Sequence, residues 1–145
     1  MRNMCCALFL AASLLFAGQA FAAPQVFDSP AGKFSIDVPA GWTAKAVDMG
    51  CQIDDNSGKN SMSVQFKKAE GDPKAFAKAL VEHMKAKVVK ENVGEDGTVT
   101  VACKLDDLDL IVVVAPIENF WSICVMGGPD TQAMSNIVGT MKDAQ

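Results

Sequence analysis

A single histidine, a single arginine and no tyrosine occur in 145 residues. The scarcity of imidazole excludes a zinc site built on paired histidines, and leaves general-base chemistry to His83 alone. His83 has no partner at a recognisable spacing and reads as a half-exposed helix residue. The only arginine is Arg2, inside a stretch that reads as a targeting segment. Without it, 12 lysines face 17 acids, a net charge of −5, with no guanidinium to fork onto phosphate. That balance excludes a nucleic-acid partner and gives no attraction to anionic lipid headgroups. Long apolar runs are also missing, apart from residues 5–17.

That run follows Arg2 and is followed by Gly18-Gln19-Ala20-Phe21-Ala22, an A-x-A cleavage pattern. Residues 1–22 therefore read as a cleaved secretory signal peptide, 23–33 as a flexible lead-in and 34–145 as one domain. The run is too short for a transmembrane helix, so the mature chain is expected to have no transmembrane segment. It is expected to be exported, periplasmic or extracellular, and soluble after cleavage. Three cysteines survive processing: Cys51, Cys103 and Cys124. An odd count in an oxidising compartment means one bridge and a free thiol, or no bridge, and three pairings are open.

What is abundant is β-branched and apolar. Leu108–Ala115 alternates Leu110, Val112 and Val114 with Ile111, Val113 and Ala115, so both faces are apolar. A central strand covered on both sides is expected there. Phe120–Met126 is likewise apolar on both faces, with Trp121, Ile123 and Val125 opposite Phe120, Cys124 and Met126. Phe34–Val38 and Ser61–Lys67 alternate as half-buried strands, and Cys51–Asp54 is a short one. Glu95-Asp96-Gly97 predicts a hairpin joining Val88–Val93 to Thr98–Lys104. Asp72-Pro73 opens a helix whose Phe76, Ala77, Leu80, Val81 and Met84 share one face. A closing helix over about 131–141 carries Met134, Ile137, Val138 and Met141 on one stripe. The fold class is α+β: a largely antiparallel β-sheet flanked by two amphipathic helices. Cys51 and Cys103 share inward strand parity, which makes them the first choice for a disulfide.

Phe34-Ser35-Ile36-Asp37-Val38-Pro39-Ala40-Gly41-Trp42 resembles the opening strand and turn of PsbP-like and DcrB-like exported proteins. The order of elements that follows is similar over nearly all of residues 34–145. The resemblance implies an α/β/α sandwich with a helix on each face. It also implies a non-catalytic role, since members are mostly accessory subunits, Ran-binding import factors or bacterial envelope proteins. It supplies no active-site motif to carry over.

No catalytic constellation emerges from the residues themselves. A calcium loop opening at Asp54 needs Gly at its sixth position and Glu at its twelfth, where Lys59 and Gln65 stand. Asp106, Asp107 and Asp109 read as an exposed turn. Trp42 and Phe120 are the aromatic candidates for a binding surface, while Trp121 reads as core. The expected function is an exported, non-catalytic accessory or binding protein of a bacterial-type envelope, docking on a protein partner and needing no cofactor. The alternative is a soft-metal (copper) or thiol-redox protein using Met49, Cys51, Cys124 and Met126, whose sulfurs suit Cu(I).

Overall fold

The β-branched run is a strand, as its length and terminal proline require, and it pairs on both edges. In the computed structural model, which describes residues 23–145, it is β8 (Leu108–Ile117). It lies between β7 (Val99–Leu105) and β9 (Phe120–Gly127). Beyond β9 follow β5 (Ser61–Lys68), β4 (Gly50–Asp55) and β3 (Trp42–Val47); beyond β7 comes β6 (Lys87–Val93). The order β3-β4-β5-β9-β8-β7-β6 forms one antiparallel sheet. A smaller sheet holds β1 (Ala23–Ser29), β2 (Gly32–Val38) and the short β10 (Lys142–Asp143). The helices are α1 (Pro73–His83) and α2 (Thr131–Val138). The α+β class holds.

Register divides the core in two. Val99, Val101, Cys103, Leu110, Val112, Val114, Trp121 and Ile123 pack with Ala77 and Val81 of α1 on one face. On the other face, Cys51, Ile53, Met62, Val64, Phe66, Cys124 and Met126 meet Phe34, Ile36 and Val38 of β2 and Met134 and Ile137 of α2. Each buried Val, Leu or Ile contributes about 1.5–3 kcal/mol. The helices lie on opposite faces, but α2 shares its layer with the β1–β2 hairpin. The expected helix on each face is present, and on the α2 side the hairpin adds strand to the outer layer.

Two expectations are corrected. The strand covered on both faces along most of its length is β9, fourth of seven, whereas Ile111, Val113 and Ala115 of β8 are only half-buried on the α2 side. The span 23–33 is no flexible lead-in: Ala23–Ser29 pairs along its whole length with β2 and buries Phe27. The hydrophobic pattern missed this strand because Val26 faces solvent and only Phe27 anchors it. The strand Trp42–Val47 was also missed, since its polar and small residues show no clear alternation at the edge of the sheet. The signal-peptide reading of 1–22 lies outside the described residues.

Local chemistry sets the ends of α1. The Asp72 carboxylate accepts from the Lys74 and Ala75 N–H groups, as its N-cap position predicts. At the other end Lys85 takes φ 60°, so the Ala86 N–H reaches the Val81 carbonyl and the Lys85 N–H reaches that of Glu82. This is the capping turn in which glycine is usual.

Gly50 is required by space rather than by φ, because a Cβ there would run into the Val64 carbonyl on the neighbouring strand. Gly50→Ala should cost about 2 kcal/mol or more by forcing β4 and β5 apart, read as a drop in the urea midpoint.

Candidate functional site

A cleft of about 460 Å³ opens where the β1–β2 turn, β10 and the β8–β9 turn converge. Its floor is Phe34 and Phe66, whose rings lie 5.0 Å apart and tilted by 50°. Both rings are nearly buried, and Phe27, the cross-strand partner of Phe34, lies beside it at 5.7 Å. Ile117, Phe120 and Met141 form apolar walls, and Lys33, Glu118, Lys142 and Asp143 stand at the rim. The Ser29 hydroxyl donates to the Gly32 carbonyl at 2.7 Å and accepts the Ala31 N–H at 3.2 Å, so it is committed to its own turn. The lining contains neither histidine nor cysteine. Such a cleft can seat an apolar side chain between charges of both signs; the side chains that line it offer neither an imidazole nor a thiol.

The two aromatic candidates do not share a site. Trp42 pairs with Asp55 near the end of the sheet where Ser61 meets Gly127. Phe120 pairs with Lys68 at the opposite end of β5, roughly 23 Å along the strand. Trp42 packs half-buried against the α2-side core, while Phe120 lines the cleft. His83 is exposed at the end of α1. Sequence reading missed Lys142 and Asp143, since a two-residue strand leaves no periodic signal. Phe34 and Phe66 belong to strands whose alternation shows them as half-buried, and they are core residues as well as cleft floor.

The sulfur-bearing candidates are divided. Met49 is 47 % exposed at the β3–β4 turn with φ 66°. Cys51, Cys124 and Met126 are buried on the α2 side, in register such that Val64 stands between Cys51 and Cys124. Burial pushes the Cys51 thiol up to about 11. Burial, and then the neighbouring Cys51, pushes Cys124 up to about 12. Both are neutral thiols at neutral pH, so a soft metal would have to displace a proton from each to bind there.

The Cys51–Cys103 disulfide is overturned. All three thiols are free, and Cys103 lies in the α1-side core, four strand spacings and roughly 19 Å from Cys51 on the opposite face. Inward parity was read correctly within each strand, but the two strands turn their inward sides to different cores.

The acidic turn after β4 is held by its own side chains. Asp55 accepts from the Asn60 side-chain amide at 2.6 Å, from the Ser57 hydroxyl and from the Lys59 N–H. These bonds, Asn60 first, hold its carboxyl at about 2. The buried Asn60 in turn accepts the Asp130 N–H at 2.8 Å, tying the turn to the start of α2. At the other turn, Asp109 pairs with Lys104 at 3.2 Å. Among the described residues, no group of three or more His, Cys, Asp or Glu is placed to hold a metal ion.

Three outcomes follow from these groups. Alkylation of the native mature protein should be slow at all three cysteines and should reach three per chain after denaturation. Because native Cys51 and Cys124 hold protons that the unfolded chain releases near 9, their stabilisation is complete below pH 9 and is lost as pH rises toward 11–12. The Asp55 bonds act in the opposite direction: present above the ordinary carboxylate range, lost as pH falls toward 2. Asn60→Ala should lower the denaturant midpoint at neutral pH and flatten its fall between pH 4 and pH 2.

No family model and no curated protein sequence matches this chain. Solved structures do. The solution structure of cyanobacterial PsbP (CyanoP) from Synechocystis sp. superposes with a TM-score of 0.58 at 12 % identity, covering 85 % of this chain and 94 % of that one. The Ran-binding protein Mog1p of Saccharomyces cerevisiae superposes with a TM-score of 0.56 at 11 % identity, covering 83 % and 95 %. At such identities the likeness speaks to architecture alone. The chain has the PsbP/Mog1p-like fold.

Proposed function

We propose that this chain is an exported, non-catalytic accessory protein of a bacterial-type cell envelope that docks on a protein partner. The observation that carries the reading is the cleft at the hairpin end: a buried phenylalanine floor, apolar walls and a rim of mixed charge. Its ready polar group, the Ser29 hydroxyl, is spent on a turn, which favours holding a partner over transforming a substrate. The comparison with Mog1p, described as Ran-binding, supports a protein as the thing held. Export rests on the signal-like residues 1–22. No helix among the described residues is long and apolar enough to cross a membrane.

Cells expressing the full chain should yield a soluble envelope form whose mass begins at Ala23. A photo-reactive residue at Phe120 should cross-link one discrete envelope protein, while the same residue at Trp42 should not. Ile117→Glu should cut that cross-link by about tenfold by placing a charge in the apolar wall. Retention of the uncleaved chain inside the cell, or equal labelling from Phe120 and Trp42, would defeat the reading.

A further inference from the structure

The far edge of the large sheet combines three features found together nowhere else in the described residues. First, β6 is the last strand, and its outer edge pairs with no described element. Every one of its residues is exposed. Alternate N–H and C=O groups of such a strand point outward, ready for another strand.

Second, the edge is apolar. Among the described residues seven large apolar side chains are more than a third exposed, and three of them lie on β6: Val88 at 54 %, Val89 at 66 % and Val93 at 49 %. The bulge between Val88 and Lys90 leaves Val89 without a partner on β7. These valines are not consumed by packing. The α1 layer reaches this strand through the Lys74–Glu91 ion pair at 2.9 Å and leaves the valines open.

Third, the edge is basic on an acidic molecule. From Pro73 to Val93 there are five lysines, at 74, 78, 85, 87 and 90, against two acids, Glu82 and Glu91, and Glu91 is already held by Lys74. Lys85 holds its charge at a left-handed position where glycine would cost less, immediately before β6. The remaining residues after 22 are strongly acidic, so this is the surface toward which a negative chain is drawn.

Lysine on an edge strand also guards against self-pairing. That guard decides between occupants. A second copy would bring its own lysine patch alongside this one, and like charges facing each other across paired strands destabilise. An extended segment with carboxylates meets the same lysines favourably and covers the valines with its own aliphatic side chains. We infer that the outer edge of β6 receives an extended, acidic and aliphatic segment of a protein partner by strand addition. Backbone pairing supplies the affinity, and Lys85, Lys87 and Lys90 select for negative charge. This assigns a second contact surface and rests on the protein-docking reading above, but uses none of the cleft residues.

The test uses the mature chain and a synthetic peptide of alternating Glu and Val, matched in length to β6. The peptide should bind saturably, more weakly at high salt, with amide shifts and slowed hydrogen exchange along Lys87–Val93. The double variant Lys87→Glu/Lys90→Glu should bind at least about tenfold more weakly. Lys85→Gly removes charge at a position glycine accepts, so it should weaken binding while keeping or raising the melting temperature. An alternating Lys–Val peptide should not bind. Equal binding of both peptides, no binding, shifts confined to the Phe120 cleft, or concentration-dependent pairing of the chain through β6 would each overturn the proposal. A surviving Phe120 cross-link beside a silent β6 would sink the edge proposal alone. Peptide binding at β6 in a chain that neither leaves the cell nor cross-links would sink the export-and-cleft reading alone.

Discussion

The structure depends on β9 being apolar in both directions. It is the middle of seven strands, and it alone carries well-buried side chains into both cores: Trp121 and Ile123 toward α1, Cys124 and Met126 toward the hairpin and α2. The two covering layers are offset. The hairpin and α2 sit over β4, β5 and β9, while α1 sits over β9, β8 and β7. A strand that served one layer only would leave two half-sheets with no shared interior.

The offset explains where open surface remains. On the α1 side, Gln52 and Ser63 of β4 and β5 lie beyond the helix in a largely apolar groove of about 410 Å³ with Met62, Leu108 and Val125. On the α2 side the hairpin ends over Phe34 and Phe66, which produces the cleft. At the far edge α1 reaches β6 only through the Lys74–Glu91 ion pair and leaves every residue of that strand exposed. Candidate binding surfaces thus arise from the same displacement of layers that builds the two cores.

Much of this was legible in the residues. Alternation at Ser61–Lys67, the Asp72-Pro73 start and the Asp-Gly hairpin are local signals, and all three appear where local physics puts them. What could not be read was the assignment of strands to layers. Phe34–Val38 alternates like a strand of the main sheet, yet it covers that sheet from outside, because pairing partners are chosen by long-range packing. The same ambiguity made Cys51 and Cys103 look like neighbours. The cleft was invisible because it is made by segments distant in sequence, closed by a strand with too few residues to show a period.

The pairing of Phe34 with Asp143 joins nearly opposite ends of the described chain, and Ser61 with Gly127 spans most of the rest. Contacts of such long separation close slowly and late. As the polypeptide emerges from the ribosome, β4 and β5 must wait for β9, and the small sheet is not sealed until the last few residues are made. Loss of even the final few residues would therefore leave the outer edge of β2 unpaired beside Phe34, although most of the chain had been made.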